Sequence, residues 1–166
     1  AISRAAFRYL ERYTTHRAMF RILSTVRVWF YGAVEPLAPA RLVDLKRLPG
    51  LDLVEERPDE LHVGALIRLS DLLAHPLIAG NPALACLYEA LLGTASPQLR
   101  HMATLGGNLS AADYAADPPA MLTALGACVR LLSPEGTREV PLSEFFLGFY
   151  TTVLEPTEIL SEVIIP

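Results

Sequence analysis

A chain of 166 residues of which 52% are hydrophobic can bury a sizeable core, and this excludes an intrinsically disordered protein. The formal net charge is −4, but residues 1–47 hold nine Lys and Arg against three acids, and the remainder holds five against fifteen. Neither an aromatic and glycine-rich RNA motif nor a Cys/His spacing accompanies the basic part, which argues against nucleic-acid binding.

Composition also points away from a membrane protein. The richest apolar region, residues 65–80, is interrupted by charged residues and a proline, so it cannot supply a membrane span. No signal peptide is visible, and the first residue is Ala, so we expect the true N-terminus to be missing or processed. Cys86 and Cys128 lie among apolar residues and are too few for a disulfide framework. We therefore predict buried thiols and a reducing, cytoplasmic compartment.

Short strands and helices are predicted from residue 40 onward. "ARLVDL" indicates a strand, and "LDLVEE" and "ELHVGAL", separated by "RPD", indicate an antiparallel pair. Ser70 is predicted to cap the short helix "DLLAH". Asn81 and Pro82 are predicted to begin a helix over residues 82–92 that Gly93 ends. Its apolar face, against a sheet, consists of Leu84, Leu87, Tyr88 and Leu91.

The second half of the chain continues the alternation. Asp117 fits a helix N-cap, Pro118 fits the first helical position, and Gly126 fits the C-terminal stop. "ACVRLL" and "TREVPL", joined by "SPEG", indicate a hairpin, "SEFF" indicates a helical turn, and "ILSEVIIP" indicates a final strand. The predicted fold class is α+β, with a mixed or antiparallel sheet flanked by helices.

Residues 100–113, "RHMATLGGNLSAAD", carry very little side-chain bulk. Glycines permit positive φ values, so successive backbone N–H groups can point into one concavity and bind a phosphate. The Thr104 hydroxyl and the Asn108 amide can add polar contacts. A plain turn is the alternative, and in both cases we expect the glycines to lie in a turn outside any helix. For Arg100 we predict a surface or loop-anchoring role.

The stretch "SPQLRHMATLGGNLSAADYAADPPAMLTALGA" resembles the FAD-binding domain of the molybdenum hydroxylase family, which includes xanthine dehydrogenases, aerobic carbon monoxide dehydrogenases and hydroxybenzoyl-CoA reductases. The resemblance extends in order to "PARLVDLKRLPGL", "LHVGALIRLSDLLAHPLI", "VPLSEFFLGF" and "LEPTEILSEVIIP", over residues 39–166. It implies a domain of two small subdomains that binds FAD.

The resemblance also implies roles for single residues. The FAD pyrophosphate would be wrapped by the stretch Thr104, Leu105, Gly106, Gly107 and Asn108. Asp117 would lie near the adenosine half of the cofactor, a role compatible with the N-cap. Leu160 in "PTEIL" matches a leucine that packs against the isoalloxazine ring, and its alternative is a core strand residue.

The implied function is electron transfer by a flavin-containing oxidoreductase subunit that has no catalytic or metal-ligating residues of its own. In the family, substrate chemistry takes place at a molybdenum cofactor on a large subunit. Electrons pass through [2Fe–2S] clusters on a small subunit to or from FAD. The resemblance therefore implies a hetero-oligomer with both subunits as partners, while the substrate and the electron acceptor stay open.

We expect three parts of the family pattern to be missing from this chain. A first phosphate-binding loop of the A-G-G-T-D type is expected before residue 39, but residues 1–38 contain one glycine, Gly32. We therefore treat residues 1–39 as an atypical or incomplete first subdomain, with a reading-frame disruption as one hypothesis, and residues 40–166 as the FAD-binding core. We also expect residues 10–38 to pack least well, and Trp29 and Phe30 not to be buried against the sheet. We also expect the family's C-terminal domain to be absent, and the Cys-rich insertion of hydroxybenzoyl-CoA reductases is not found between Leu109 and Asp117.

Two other functions compete with this interpretation. The first is a truncated, non-catalytic remnant that no longer binds FAD tightly, and the missing first loop favours it. The second is a phosphate-binding module without a redox role, against which the "PTEIL" match argues. With only one recognisable loop, we expect micromolar or weaker FAD affinity and a colourless purified chain.

Overall fold

The structure, a computed structural model, describes Leu45 and residues 48–166. The strands are β1 (Val54–Arg57), β2 (Glu60–Gly64), β3 (Cys128–Ser133), β4 (Gly136–Pro141), β5 (Phe146–Gly148), β6 (Thr151–Thr152) and β7 (Ile159–Ile165). The helices are α1 (Leu69–Ala74), α2 (Pro76–Ala79), α3 (Ala85–Gly93), α4 (Pro97–Arg100), α5 (Leu105–Ala111), α6 (Asp117–Ala124) and α7 (Leu142–Phe145). A 3₁₀ turn, Pro82–Leu84, precedes α3. None of the described helices is long and apolar enough to cross a membrane.

Five strands form one sheet in the order β1-β2-β7-β3-β4, and each neighbouring pair is antiparallel. The short strands β5 and β6 pair with each other. The two predicted hairpins, β1–β2 and β3–β4, are confirmed. The predicted final strand is also confirmed, and it lies in the centre of the sheet.

One face of the sheet carries the hydrophobic core. Leu61 and Val63 of β2 lie opposite Ile165 and Val163 of β7, and all four are buried. Successive side chains of a strand point to opposite faces, so this alternation gathers apolar groups on one side. Helix α5 packs against β7, and α7 packs against β3 and β4. The helices bury leucines in the same core, among them Leu72, Leu87, Leu91, Leu105, Leu109 and Leu122.

The opposite face of the sheet carries charged side chains in a hydrogen-bonded network. His62 is 3% exposed, and its ring nitrogens lie 2.9 Å from a Glu60 oxygen and 3.1 Å from a Glu162 oxygen. Arg130 contacts Glu162 and also lies 2.6 Å from Glu139. These contacts satisfy the polar atoms of a histidine that would otherwise be costly to bury.

The helix starts confirm some capping predictions and correct others. The Asn81 side chain accepts a hydrogen bond from the Ala83 N–H at 3.0 Å, as the cap prediction requires. The helix predicted over residues 82–92 is divided into the 3₁₀ turn and α3, and three of its four predicted apolar residues are buried. The Ser70 cap was wrong. Helix α1 begins two residues earlier than predicted, Arg68 is its N-cap, and the Ser70 hydroxyl bonds to Asp71 instead.

Several predictions lie outside the described residues. They concern the strand "ARLVDL", the packing of residues 10–38 with Trp29 and Phe30, the missing first loop, and the boundary between residues 39 and 40. The predicted burial of the thiols was wrong for Cys86, which is exposed on α3, while Cys128 is half-buried in β3.

Arg100 anchors the loop between α3 and α4, as predicted. Its Nη1 donates hydrogen bonds to the carbonyls of Leu92 at 2.9 Å, Thr94 at 2.8 Å and Ala95 at 3.0 Å. The last carbonyls of a helix have no partner within the helix, and a cation at this end also complements the helix dipole. One arginine therefore closes α3 and fixes the loop, in which Ala95 has a φ of 53°.

We expect Arg100→Ala to lower the free energy of unfolding by about 1–2 kcal/mol, because charge-assisted hydrogen bonds to backbone carbonyls are lost. Chemical denaturation measures the change. Arg57→Ala is the matched control, since among the described residues Arg57 bonds only to the exposed Glu55, and it should cost about 0.5 kcal/mol or less. Equal losses in the two variants would contradict an anchoring role for Arg100.

A second arginine ties β4 to the segment before β7. Arg138 donates to the Glu158 carboxylate from Nε at 2.6 Å and from Nη2 at 2.8 Å, and Nη2 also donates to the Val153 carbonyl at 3.0 Å. The Glu155 N–H donates to the same carboxylate at 2.9 Å. The hydrogen bonds from Arg138, followed by the one from the Glu155 N–H, lower the pKa of Glu158 to about 2.

This shift predicts a pH dependence of stability. The pKa of Glu158 is lower in the folded state than its ordinary value of 4.5, so its contribution is complete above pH 4.5 and is lost as the pH falls toward 2. We expect the wild type to lose more stability over that pH range than Glu158→Gln, as measured by thermal unfolding. Glu135→Gln, at an exposed hairpin position, serves as control and should follow the wild type. Parallel curves for wild type and Glu158→Gln would contradict the prediction.

Candidate functional site

The glycine pair lies in the first turn of helix α5, so the prediction of a turn outside any helix was wrong. Thr104 is the N-cap, with φ −104° and ψ 158°, and its Oγ1 accepts a hydrogen bond from the Gly107 N–H at 3.1 Å. A threonine placed three residues before a donor is a standard N-cap arrangement, and it outweighs the low helix propensity of two glycines.

Most N–H groups of the predicted phosphate nest bond within the protein. The Leu105 N–H donates to the Ile67 carbonyl at 3.0 Å, and the Gly106 N–H donates to the Ala65 carbonyl at 2.7 Å. These two bonds join the start of α5 to the segment that continues from β2. Of residues 104–108, only Gly107 is classed as exposed. A ligand can therefore reach the backbone at Gly107 but not at Gly106.

The two glycines serve different purposes. A Cβ on Gly106 would lie 2.7 Å from the Ala65 Cβ and 2.9 Å from its carbonyl oxygen, so the helix could not approach the strand this closely. Within the part of the chain that the structure describes, a Cβ on Gly107 would meet only the Thr104 Oγ1, at 2.9 Å. Gly106 is thus required by packing, whereas Gly107 leaves a bare backbone surface that faces outward.

Asn108 adds a polar atom that the described residues leave without a partner. Its Oδ1 is buried and accepts no hydrogen bond from residues 48–166. A buried polar atom of this kind is costly, because it loses its hydrogen bonds to water. A hydroxyl or amine of a ligand could supply the missing donor beside the exposed backbone of Gly107.

An open cavity of about 490 Å³ begins at Thr104. Such a volume lies in the range of ligand pockets. Polar and charged side chains line much of it, beside the exposed Met102: Asp52, Arg68, Asp71, His75, His101 and Thr104. The Arg68 Nε and the Asp71 Oδ2 are 4.0 Å apart, so the ion pair between them is weak. Sequence analysis did not identify His75 or His101, because they come from separate helix ends that only the fold brings together.

Asp117 is not the N-cap of α6, and this correction leaves its carboxylate available. The N-cap is Ala116, Asp117 is the first helical residue and Pro118 the second. A proline fits at either of the first two positions because the N–H groups there have no partner within the helix. Asp117 is exposed and forms no hydrogen bond or ion pair through its side chain with the described residues. Gly126, with φ +73°, follows the end of α6 as predicted.

Leu160 lies in β7 opposite Leu131, next to an irregularity in the β3–β7 pairing. It is 8% exposed and belongs to the hydrophobic core, so most of its surface packs against the protein. Helix α5 contacts both β7 and α6, which places the elements that carry residues 104–108, Asp117 and Leu160 side by side. Contact between Leu160 and a flavin stays a prediction.

Comparison with known proteins identifies the family. The profile described as "FAD binding domain in molybdopterin dehydrogenase" matches residues 10–166. The chain is 38% identical over 128 residues to the 6-hydroxypseudooxynicotine dehydrogenase complex subunit alpha of Paenarthrobacter nicotinovorans, covering 77% of this chain and 43% of that protein. It is 37% identical over 130 residues to the nicotinate dehydrogenase FAD-subunit of Eubacterium barkeri, covering 76% and 43%. The chain thus spans less than half the length of these relatives.

The fold has a counterpart among solved structures. Carbon monoxide dehydrogenase from Hydrogenophaga pseudoflava superposes with a TM-score of 0.71 at 33% sequence identity. The superposition covers 82% of this chain and 49% of that one. The predicted fold class, an antiparallel sheet flanked by helices, is therefore confirmed by both the strand pairing and the structural likeness.

Proposed function

Because the chain belongs to the family of FAD-binding domains in molybdopterin dehydrogenases, we propose that it binds FAD and passes electrons between iron–sulfur clusters and an external carrier. The observation that carries the proposal is the match of the family profile from residue 10 to residue 166. Bound FAD supplies a centre that accepts and releases electrons singly or in pairs. The chain's own residues bind and orient the cofactor.

The residues present fit a dinucleotide. Gly107 offers a bare, exposed backbone, and the buried Oδ1 of Asn108 needs a donor, which a hydroxyl of the cofactor provides. Along the adjoining cavity, Arg68 supplies positive charge, and His75 and His101 supply ring N–H donors for an anion. We propose that the pyrophosphate lies against Thr104 and Gly107 at the mouth of this cavity.

Two further residues receive roles in the proposal. The exposed Asp117 carboxylate accepts hydrogen bonds from ribose hydroxyls on the adenosine half, as acidic residues do in other dinucleotide sites. The exposed edge of Leu160 packs against the isoalloxazine ring. Leu105 and Gly106 support the site from behind, because their N–H groups and packing are used within the protein.

We further propose that the chain works in a complex with a molybdenum-binding large subunit and an iron–sulfur small subunit. Two relatives are called subunits by name, one of them an FAD-subunit. Among the described residues, no group of three or more His, Cys, Asp and Glu side chains is arranged to hold a metal ion. Electrons to or from the flavin would then pass through clusters on the partner. A cytoplasmic location stays a prediction.

Titration of FAD into the full chain tests the proposal. We expect saturable binding of one FAD per chain, seen as quenching of flavin fluorescence, with micromolar or weaker affinity. ADP should compete, because it presents the same pyrophosphate. No saturable binding would leave the non-catalytic remnant as the better description. Equal affinity for ADP and FAD would indicate a phosphate-binding module without flavin contacts.

A further inference from the structure

A cluster of exposed aromatic and aliphatic side chains includes none of the residues that line the proposed FAD cavity. We call it the aromatic patch; it consists of Tyr114, Leu147, Phe149 and Tyr150, which are between 55% and 69% exposed. The Tyr114 and Phe149 rings meet edge to face with centroids 5.1 Å apart, and those of Phe149 and Tyr150 are 4.0 Å apart. Contiguous apolar surface of this kind marks interaction sites.

The backbone beneath the patch adopts a costly conformation. Tyr150 lies in the turn between β5 and β6 with a φ of 55°, and its N–H donates to the Ala112 carbonyl at 3.0 Å. Ala112, at the end of α5, has a φ of 47°. Non-glycine residues seldom adopt positive φ, and such strain concentrates at functional sites. A glycine would suit the turn better, yet the chain places a large exposed ring there.

An apolar groove of about 460 Å³ adjoins the patch. Its lining is mostly apolar: Ala112, Tyr114, Ala116, Pro119, Ala120 and Phe146. Asp113 also lines the groove, and one of its oxygens accepts the Ala115 N–H at 2.9 Å. The groove and the aromatic patch together thus present an apolar cavity, exposed ring surfaces and a carboxylate.

The charges of residues 48–166 indicate that this site lacks a cation. They contain five arginines, no lysine and fifteen acidic residues. All five arginines contact other groups of the described chain: Arg57, Arg68, Arg100, Arg130 and Arg138. Within that part of the chain, no cation pairs with Asp113. A complementary occupant therefore carries positive charge together with apolar surface.

We propose that the aromatic patch and its groove dock a segment of a partner subunit that presents an arginine beside an aliphatic side chain. The aliphatic group fills the groove. The guanidinium lies over an exposed ring and close to Asp113. Arginine fits better than lysine, because its planar group stacks on aromatic faces while donating to a carboxylate. The inference rests on the proposed function, in which the chain works within a complex.

A short peptide tests the chemistry of the docking site on the full chain. The probe is N-acetyl-Leu-Arg-Leu-amide, and the matched control replaces arginine with citrulline, which keeps the shape but removes the charge. We expect the arginine peptide to shift the NMR signals of Tyr114 and Tyr150 in a saturable manner. The citrulline peptide should bind at least fivefold more weakly. Equal binding of the two peptides, or binding of neither, overturns the proposal.

Substitutions separate docking from folding. Tyr150→Gly removes a ring where the backbone already favours glycine, so the variant should be at least as stable as the wild type and bind the arginine peptide at least tenfold more weakly. Leu53→Ser, at a similarly exposed residue before β1, should leave peptide binding unchanged. Loss of peptide binding in both variants, or in neither, contradicts docking at the aromatic patch.

FAD titration of the same variants keeps this proposal separate from the proposed function. Unchanged FAD affinity in Tyr150→Gly supports a docking surface distinct from the flavin site, and a clear loss of affinity overturns it. If neither the wild type nor the variants bind FAD while the wild type still binds the arginine peptide, the proposed function fails and the docking site stands. Self-association of the wild type that Tyr150→Gly abolishes would assign the patch to a second copy and overturn the proposal.

Discussion

Gly106→Ala should lower the free energy of unfolding by about 2–4 kcal/mol, combining the cost of overpacking with the loss of a backbone hydrogen bond. The added Cβ would meet the Ala65 carbonyl oxygen at 2.9 Å, in the place where the Gly106 N–H now donates. Ala65 cannot easily move away, because its own N–H donates to the Ser161 carbonyl in β7 at 2.9 Å. Urea denaturation monitored by far-UV circular dichroism measures the change.

Gly107→Ala is the matched control for this prediction. Of the described residues, its Cβ would meet only the Thr104 Oγ1, which can rotate, and alanine also has the higher helix propensity. We expect its stability to stay within about 1 kcal/mol of the wild type. Similar losses in the two variants would show that the contact between α5 and the segment after β2 is looser than the geometry indicates.

Gly107→Asp should leave the protein folded and weaken FAD binding by at least tenfold. A carboxylate in the first turn of a helix is favourable, so the fold is retained. The same carboxylate would face the cofactor's phosphates, and repulsion between charges about 4 Å apart near a protein surface costs about 1.4–4 kcal/mol, which is a factor of about ten to a thousand in affinity. Titration by flavin fluorescence at two ionic strengths measures the effect and its screening.

Gly107→Asn separates charge from bulk, since asparagine has nearly the same shape without the charge. We expect FAD to bind this variant more tightly than Gly107→Asp, with a smaller dependence on salt. Equal binding by the two variants would mean that bulk, not charge, blocks the site. Wild-type affinity in both would remove the phosphates from the vicinity of residue 107.

Local patterns predicted most of the secondary structure. The alternating segments "ELHVGAL" and "ILSEVIIP" became β2 and β7, and the turn signals between strands gave the correct hairpins. These elements depend on near neighbours, because side-chain alternation and turn chemistry act over a few residues. The errors fall at helix starts, where Ser70 and Asp117 each missed the N-cap by one or two positions. A cap depends on which N–H groups the rest of the fold has already satisfied.

Part of the candidate site could likewise be predicted from the sequence, and part of it depends on the fold. The sequence alone was sufficient to single out residues 104–108 and to predict the family, because five matching segments in order are far more specific than one motif. It also determined the elements of the sheet and the loop-anchoring role of Arg100. Each of these features follows from the residue types and their spacing along the chain.

Only the tertiary structure decided what the two glycines do. In the sequence they are equivalent, but the approach of α5 to the segment after β2 buries Gly106 and leaves Gly107 exposed. The cavity lined by His75 and His101, and the rings of Tyr114 and Phe149 side by side, likewise join residues distant in sequence. Such contacts follow from packing a sheet against helices, and because packing depends on all elements at once, no local pattern encodes them.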